Sequence, residues 1–84
     1  MKLNELLREI QYNRVVLPKD EVDVRGINID SRLVKEGDMF IAIKGTQTDG
    51  HEYIAMAEER GAVAIVCEEM PEKQNPEIAY INLP

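Results

Sequence analysis

Two short polar stretches hold the side chains of this 84-residue chain that could do chemistry: Asp30-Ser31-Arg32, and the run from Lys44 to His51 that reads KGTQTDGH. Ser31, Thr46 and Thr48 offer hydroxyls, Gln47 an amide, and Arg32 and Lys44 positive charge. That set suits the oxygen-rich surface of a sugar, a base or a phosphate. Gly45 and Gly50 let the backbone approach a ligand closely. Asp49 stands three residues before Glu52, the capping-box spacing, so a helix is expected to start at about Gly50. Its first amides would add unpaired N–H groups and a partial positive charge. A plainer reading stands beside this one. Gly, Thr and Asp are ordinary connection residues, Asp49 is explained as a helix cap, and Asp30 with Arg32 two residues on can pair simply to shape a loop.

What is missing narrows the chemistry. There is neither a G-x-x-x-x-G-K-[ST] nor a G-x-G-x-x-G, the two nucleotide fingerprints that use glycine at a helix start. His51 is the only histidine and Cys67 the only cysteine. No His-based metal cluster, intrachain disulfide or cysteine zinc site can therefore form. Ser31 has no histidine near it in sequence to activate it as a nucleophile. His51 fits a hydrogen-bonding role in a first helical turn; as a lone base it would need a partner supplied by the fold. No catalytic residue and no metal ligand are assigned. These residues suit binding rather than reaction.

The elements that must position them follow from periodicity. Leu3, Leu6, Leu7 and Ile10 recur at i, i+3, i+4 and i+7, which predicts an opening amphipathic helix. Residues 12–22, with Pro18 and mixed charges, read as a connection. Val24–Ile29 reads as a strand in which Gly26 interrupts the alternation and suggests a bulge. Residues 33–37 turn the chain. Asp38–Lys44 is apolar on both faces, as in a strand buried between layers. In the helix after Asp49, Tyr53, Ile54, Ala57 and Met56 form the buried stripe, and Gly61 ends it. Ala62–Val66 is another doubly apolar strand, residues 68–77 a loop, and Ala79–Leu83 a last strand. The order implies α/β, a small mixed sheet with flanking helices, with parallel strands across the crossover at residues 38–66. In such sheets ligands lie beyond the carboxyl ends of the strands. Both polar stretches fall there.

Composition sets the outer bounds. A chain this short buries around 60% of its unfolded surface, so one domain, residues 1–84, of modest stability is expected. The net charge is −6 and there is no Lys/Arg cluster, which argues against a nucleic-acid partner. Charges at Lys2, Glu5, Arg8 and Glu9 break any signal-peptide core, and no apolar run approaches a membrane span. No membrane partner is expected, and the reading is cytoplasmic.

Several spaced motifs together carry a resemblance. IDSRLVKEGDMFIAIKGTQTDGHEYIAMAEERGAVAIV holds D-S-R, then G-D-x-F-x-A-x-x-G, then D-G-H, then A and G-A. Over about residues 24–67 this resembles the first domain of the Mur ligase family, which builds the peptidoglycan stem peptide and so serves cell wall, cell shape and division. The opening KLNELL is similar as well. The likeness is greatest to the ligase of the third step. It implies that the chain binds the UDP end of UDP-N-acetylmuramoyl-L-alanyl-D-glutamate, as the first domain of an ATP-dependent amino-acid ligase. The family's UDP contacts then fall on Ile29, Ser31, Thr46, Gln47 and Thr48, while Asp30, Arg32, Asp49, Gly50 and His51 shape the loops.

ATP and magnesium would bind a central domain and the incoming amino acid a third, with an acyl-phosphate formed on the D-glutamate. No cofactor is expected in these residues, whose partners would be the UDP-muramoyl dipeptide and those two domains. The amino acid added, meso-diaminopimelate or L-lysine, would be chosen by the third domain. The last residues, INLP, look like the end of a first domain of a larger three-domain ligase. Two alternatives stay open: the equivalent domain of the D-alanyl-D-alanine-adding ligase, and a stand-alone interaction module that binds no nucleotide.

Overall fold

The computed structural model describes the whole chain, Met1–Pro84. Five strands form one mixed sheet: β1 (Arg14–Val16), β2 (Gly26–Asn28), β3 (Asp38–Ile41), β4 (Ala64–Cys67) and β5 (Ala79–Asn82), in the spatial order β1-β5-β4-β3-β2. β2 to β5 are parallel neighbours in chain order, and β1 closes the far edge antiparallel to β5. Helix α1 (Leu3–Leu7) and helix α2 (Ile54–Glu59) complete an α/β domain. Two 3-10 turns, Ser31–Leu33 and Gly50–Tyr53, follow β2 and precede α2.

Alternation along the strands divides the core in two, because successive side chains point to opposite faces. Phe40, Ile65, Cys67 and Tyr80 face α2 and pack with Ile54 and Ala57. Met39, Ala64, Val66, Ala79 and Ile81 face the other way, onto Leu3 of α1 and Val24. Every residue of β4 is buried, which is why that stretch reads as doubly apolar.

Several boundaries differ from the sequence-based expectation. α1 stops at Leu7 rather than Ile10, which is 39% exposed. The chain turns there (Glu9 N donates to Leu6 O, 3.0 Å), and Asn13 N then donates to Asn82 O (2.8 Å). That contact starts β1, in a segment expected to be connection only. Three residues of strand are too few to show an alternation, and their partner lies almost seventy positions away.

β2 is shorter than Val24–Ile29 and has no bulge, since Gly26, Ile27 and Asn28 pair in even register with Asp38, Met39 and Phe40. The glycine has another cause. A Cβ on Gly26 would stand 2.9 Å from Oδ1 of Asp38. Asp38 is buried and needs that room, and its other oxygen accepts from the Lys35 amide at 2.9 Å.

β3 ends at Ile41, because residues 43–50 leave the sheet as a hairpin stem in which Lys44 bridges Asp49. β4 begins two residues later than expected, and the final strand ends at Asn82. No helix is long and apolar enough to cross a membrane.

Candidate functional site

β2 and β3 are adjacent and parallel, so the loops at their carboxyl ends open onto the same crevice. A cavity of about 650 Å³ lies there. Ile29, Ser31 and Arg32 line it from one loop, Gly45 and Thr48 from the other, and Tyr53 and Met56 from the elements that follow. Asp30, Ile43, Gly50 and the otherwise buried Phe40 complete the wall. Two stretches separated in sequence are thus brought together by one strand pairing.

The second loop is built as a tight hairpin. Gly45 N donates to Thr48 O at 2.9 Å, and Gly50 N to Ile43 O at 2.8 Å. Gly50 is required by close approach, because a Cβ there would sit 2.6 Å from Ile43 N and 2.9 Å from its carbonyl oxygen. Thr46 and Gln47 stand exposed at the tip, outside the cavity lining, whereas Thr48 reaches it. Of the hydroxyls, Ser31 is 7% exposed and points to the thioether of Met56, 3.6 Å away.

Arg32 is committed to Asp30. Its Nε and Nη2 donate to the two carboxylate oxygens at 3.0 and 2.8 Å, and its amide adds a third bond at 3.0 Å. The Arg32 side-chain hydrogen bonds, then the backbone one, pull the Asp30 carboxyl down to about 2. Asp30 in turn raises Arg32. An arginine held at two points gives up little charge to a ligand. Lys44 is exposed and enters none of the ion pairs.

Asp49 and His51 form a second closed unit. Oδ1 of Asp49 accepts from the His51 amide (3.0 Å) and contacts Nδ1 of the ring (2.6 Å). These bonds hold the Asp49 carboxyl below the ordinary range, the backbone one contributing most. Nε2 of His51 accepts from the amides of Glu68 and Glu69 at 3.0 and 3.2 Å.

The capping box does not form as its spacing suggests. Asp49 caps the second amide of the turn, the Glu52 amide goes to the Asp49 carbonyl (3.0 Å), and the element starts as a 3-10 turn with α-helix only from Ile54. The Gly50, His51 and Glu52 amides all have protein acceptors. The anion cradle expected at this helix start is therefore absent.

Two residues expected in the buried stripe lie outside it. Ile54 and Ala57, one turn apart, take the core, while Tyr53 and Met56, 37% and 39% exposed, turn to the cavity. The available signal was their place in the first turns after a strand's carboxyl end.

A family model described as Mur ligase family, catalytic domain, matches residues 23–84. The UDP-N-acetylmuramoyl-L-alanyl-D-glutamate--2,6-diaminopimelate ligase of Bacteroides thetaiotaomicron is 49% identical over 83 residues, which is 99% of this chain and 17% of that protein. The ligase of the same name from Cytophaga hutchinsonii is 43% identical over 72 residues, 86% of this chain and 15% of that protein. Among solved structures, MurF from Acinetobacter baumannii superposes with a TM-score of 0.64 at 30% identity, over 79% of this chain and 14% of that one. MurF ligase from Thermotoga maritima, in complex with ADP, gives 0.59 at 35%, over 68% and 13%. The chain thus spans less than a fifth of the length of these relatives. With a model of the family covering most of its residues, and its sheet superposing on solved members, this chain belongs to the Mur ligase family.

Proposed function

We propose that these residues are the UDP-substrate domain of an ATP-dependent ligase that joins 2,6-diaminopimelate to UDP-N-acetylmuramoyl-L-alanyl-D-glutamate. The observation that carries this reading is the 49% identity to such a ligase along 99% of the chain. The cavity supports it. Its volume falls within the roughly 300–1,000 Å³ of small-molecule sites, and its wall combines apolar Ile29, Tyr53 and Met56 with the hydroxyls of Ser31 and Thr48. Such a wall suits the uridine part of the substrate better than its phosphates, since Arg32 is already paired. Thr46, Gln47 and Lys44 stand at the rim, where the diphosphate would leave the cavity.

Chemistry is assigned to other domains of the parent protein, a larger three-domain ligase. No group of three His, Cys, Asp or Glu side chains is placed to hold a metal ion, and the chain has no phosphate-loop lysine. ATP and magnesium would act in the central domain, where the D-glutamate carboxyl is activated for attack by the incoming amine. Both ATP and the nucleotide-linked substrate suit a cytoplasmic enzyme of peptidoglycan synthesis.

The test is steady-state kinetics on the full-length ligase with Ser31→Ala, with calorimetric titration of the chain by the UDP-muramoyl dipeptide. We expect the KM for the UDP substrate to rise several-fold, with little change in kcat. An unchanged KM together with no heat of binding would overturn the reading. A second reading, the D-alanyl-D-alanine-adding ligase, is favoured by the solved structures at TM-scores near that of Acinetobacter baumannii MurF. It ranks behind because the identity to those structures is 30% and 35%. Assaying which amino compound the full-length enzyme consumes separates the two.

A further inference from the structure

We propose that His51 is a positioning residue for the ligand hairpin, tying residues 43–50 to the exit of β4 through a single neutral tautomer. This deepens the proposed function and rests on it for its meaning, though not for its structural test.

Two backbone amides, Glu68 N and Glu69 N, converge on Nε2 of His51. An amide can only donate, so Nε2 must present its lone pair. The ring proton then lies on Nδ1, where it meets a carboxylate that can only accept, Oδ1 of Asp49. The ring is 12% exposed and both of its nitrogens are used. This is the arrangement of a fixed connector rather than of a mobile base.

What it connects is specific. Asp49 is the bridge partner of Lys44 at the base of the hairpin that carries Thr46, Gln47 and Thr48. Glu68 and Glu69 directly follow β4. β3 and β4 are already paired, but the hairpin leaves the sheet after Ala42, whose amide makes a last bond to Val66 O at 2.8 Å. Beyond that point the hydrogen-bonded link from hairpin to β4 exit runs through the imidazole, bridging 17 and 18 positions of sequence. The Asp49 carboxylate would still cap its turn without the ring. The link to β4 would be lost.

Three substitutions separate these roles. His51→Ala removes both ends of the bridge. His51→Asn can keep a donor near Asp49 but is too short to reach the Glu68 and Glu69 amides. His51→Gln places an acceptor near the position of Nε2. In this chain, amide hydrogen exchange at Gly45, Gly50, Glu68 and Glu69 should speed at least tenfold in the Ala and Asn variants and largely recover in Gln. Tyr80→Phe, whose lost hydroxyl bonds to Glu58 and Asn75 and not to the hairpin or the Glu68 and Glu69 amides, controls for global destabilisation: it should lower Tm without singling out those amides. Nitrogen-15 shifts of the wild-type ring should show Nδ1 protonated and Nε2 bare.

In the full-length ligase, the KM for the UDP-muramoyl dipeptide should rise at least fivefold in Ala and Asn, with kcat within twofold, and recover in Gln. Exchange unchanged in His51→Ala, the opposite tautomer, or no recovery in Gln would each overturn the positioning role. So would altered exchange with an unchanged KM. A wild-type ligase that does not use the UDP substrate would instead overturn the proposed function, and the exchange data would still decide whether His51 holds the hairpin.

Discussion

The Asp30 carboxylate receives three donors from one residue, the amide, Nε and Nη2 of Arg32. Its carboxyl lies at about 2 in the folded chain against an ordinary 3.8. A depressed carboxylate favours the folded state above its unfolded value, and the contribution fades as pH falls through the folded one. The difference in stability between wild type and Arg32→Ala should therefore be constant from about pH 5 upward and shrink between about pH 4 and pH 2. Urea titrations at several pH values would measure this, and carbon-13 NMR of the Asp30 carboxyl should show its titration moving up toward the ordinary range in the variant. The pair is exposed, so its effect on stability is small. Asp30 and Arg32 could be singled out from the motif, but whether the guanidinium faced a ligand or its own loop depended on torsions that spacing does not fix.

At the scale of elements, the turn after the hairpin shows how local chemistry is set by a neighbour. Asp49 was legible as a cap, and it does cap, although on the His51 amide. Asp49→Ala should lower the urea midpoint at constant slope, as expected for the loss of a cap. Gly50→Ala should cost about 1–3 kcal/mol, because its methyl would press on the Ile43 backbone rather than on a yielding side chain. Rigid backbone on both sides leaves no cheap relaxation. The short α1 shows the opposite case. Its periodicity runs to Ile10, but pairing of β1 with β5 requires the chain to turn, and the sheet prevails over local propensity.

Across the whole molecule, one sheet separates two cores, and the same strands build both. Ile65 faces α2 while its neighbour Val66 faces α1. Neither core can open without exposing the strands that carry the other. Heat or urea should therefore unfold the chain in a single transition, with near- and far-ultraviolet circular dichroism coinciding. Ile65→Ala should cost about 2–5 kcal/mol, a large part of the total for a domain of this size, which at about 0.05–0.15 kcal/mol per residue is only some 4–13 kcal/mol. Separate melting of the two faces would contradict this. Tyr80 adds a clamp within the core on the α2 side: buried in β5, it donates to Glu58 of α2 and accepts from the Asn75 amide at 2.8 Å. Burial and the Glu58 bond push its hydroxyl up to about 12.

The sequence by itself determined the α/β class, the strands at the centre of the sheet, the two polar stretches and the family. Each is written in local pattern: alternation, doubly apolar runs, caps and spaced motifs. Only the tertiary structure decided that residues 14–16 join the sheet, that the amides after Asp49 are already taken, that Arg32 is paired, and that Tyr53 and Met56 face the cavity rather than the core. The physical reason is common to all four. Periodicity reports which face of an element is apolar, whereas a hydrogen-bond partner or a cavity wall depends on what the rest of the fold brings alongside. For His51 those partners are the amides of Glu68 and Glu69, at the far side of a crossover.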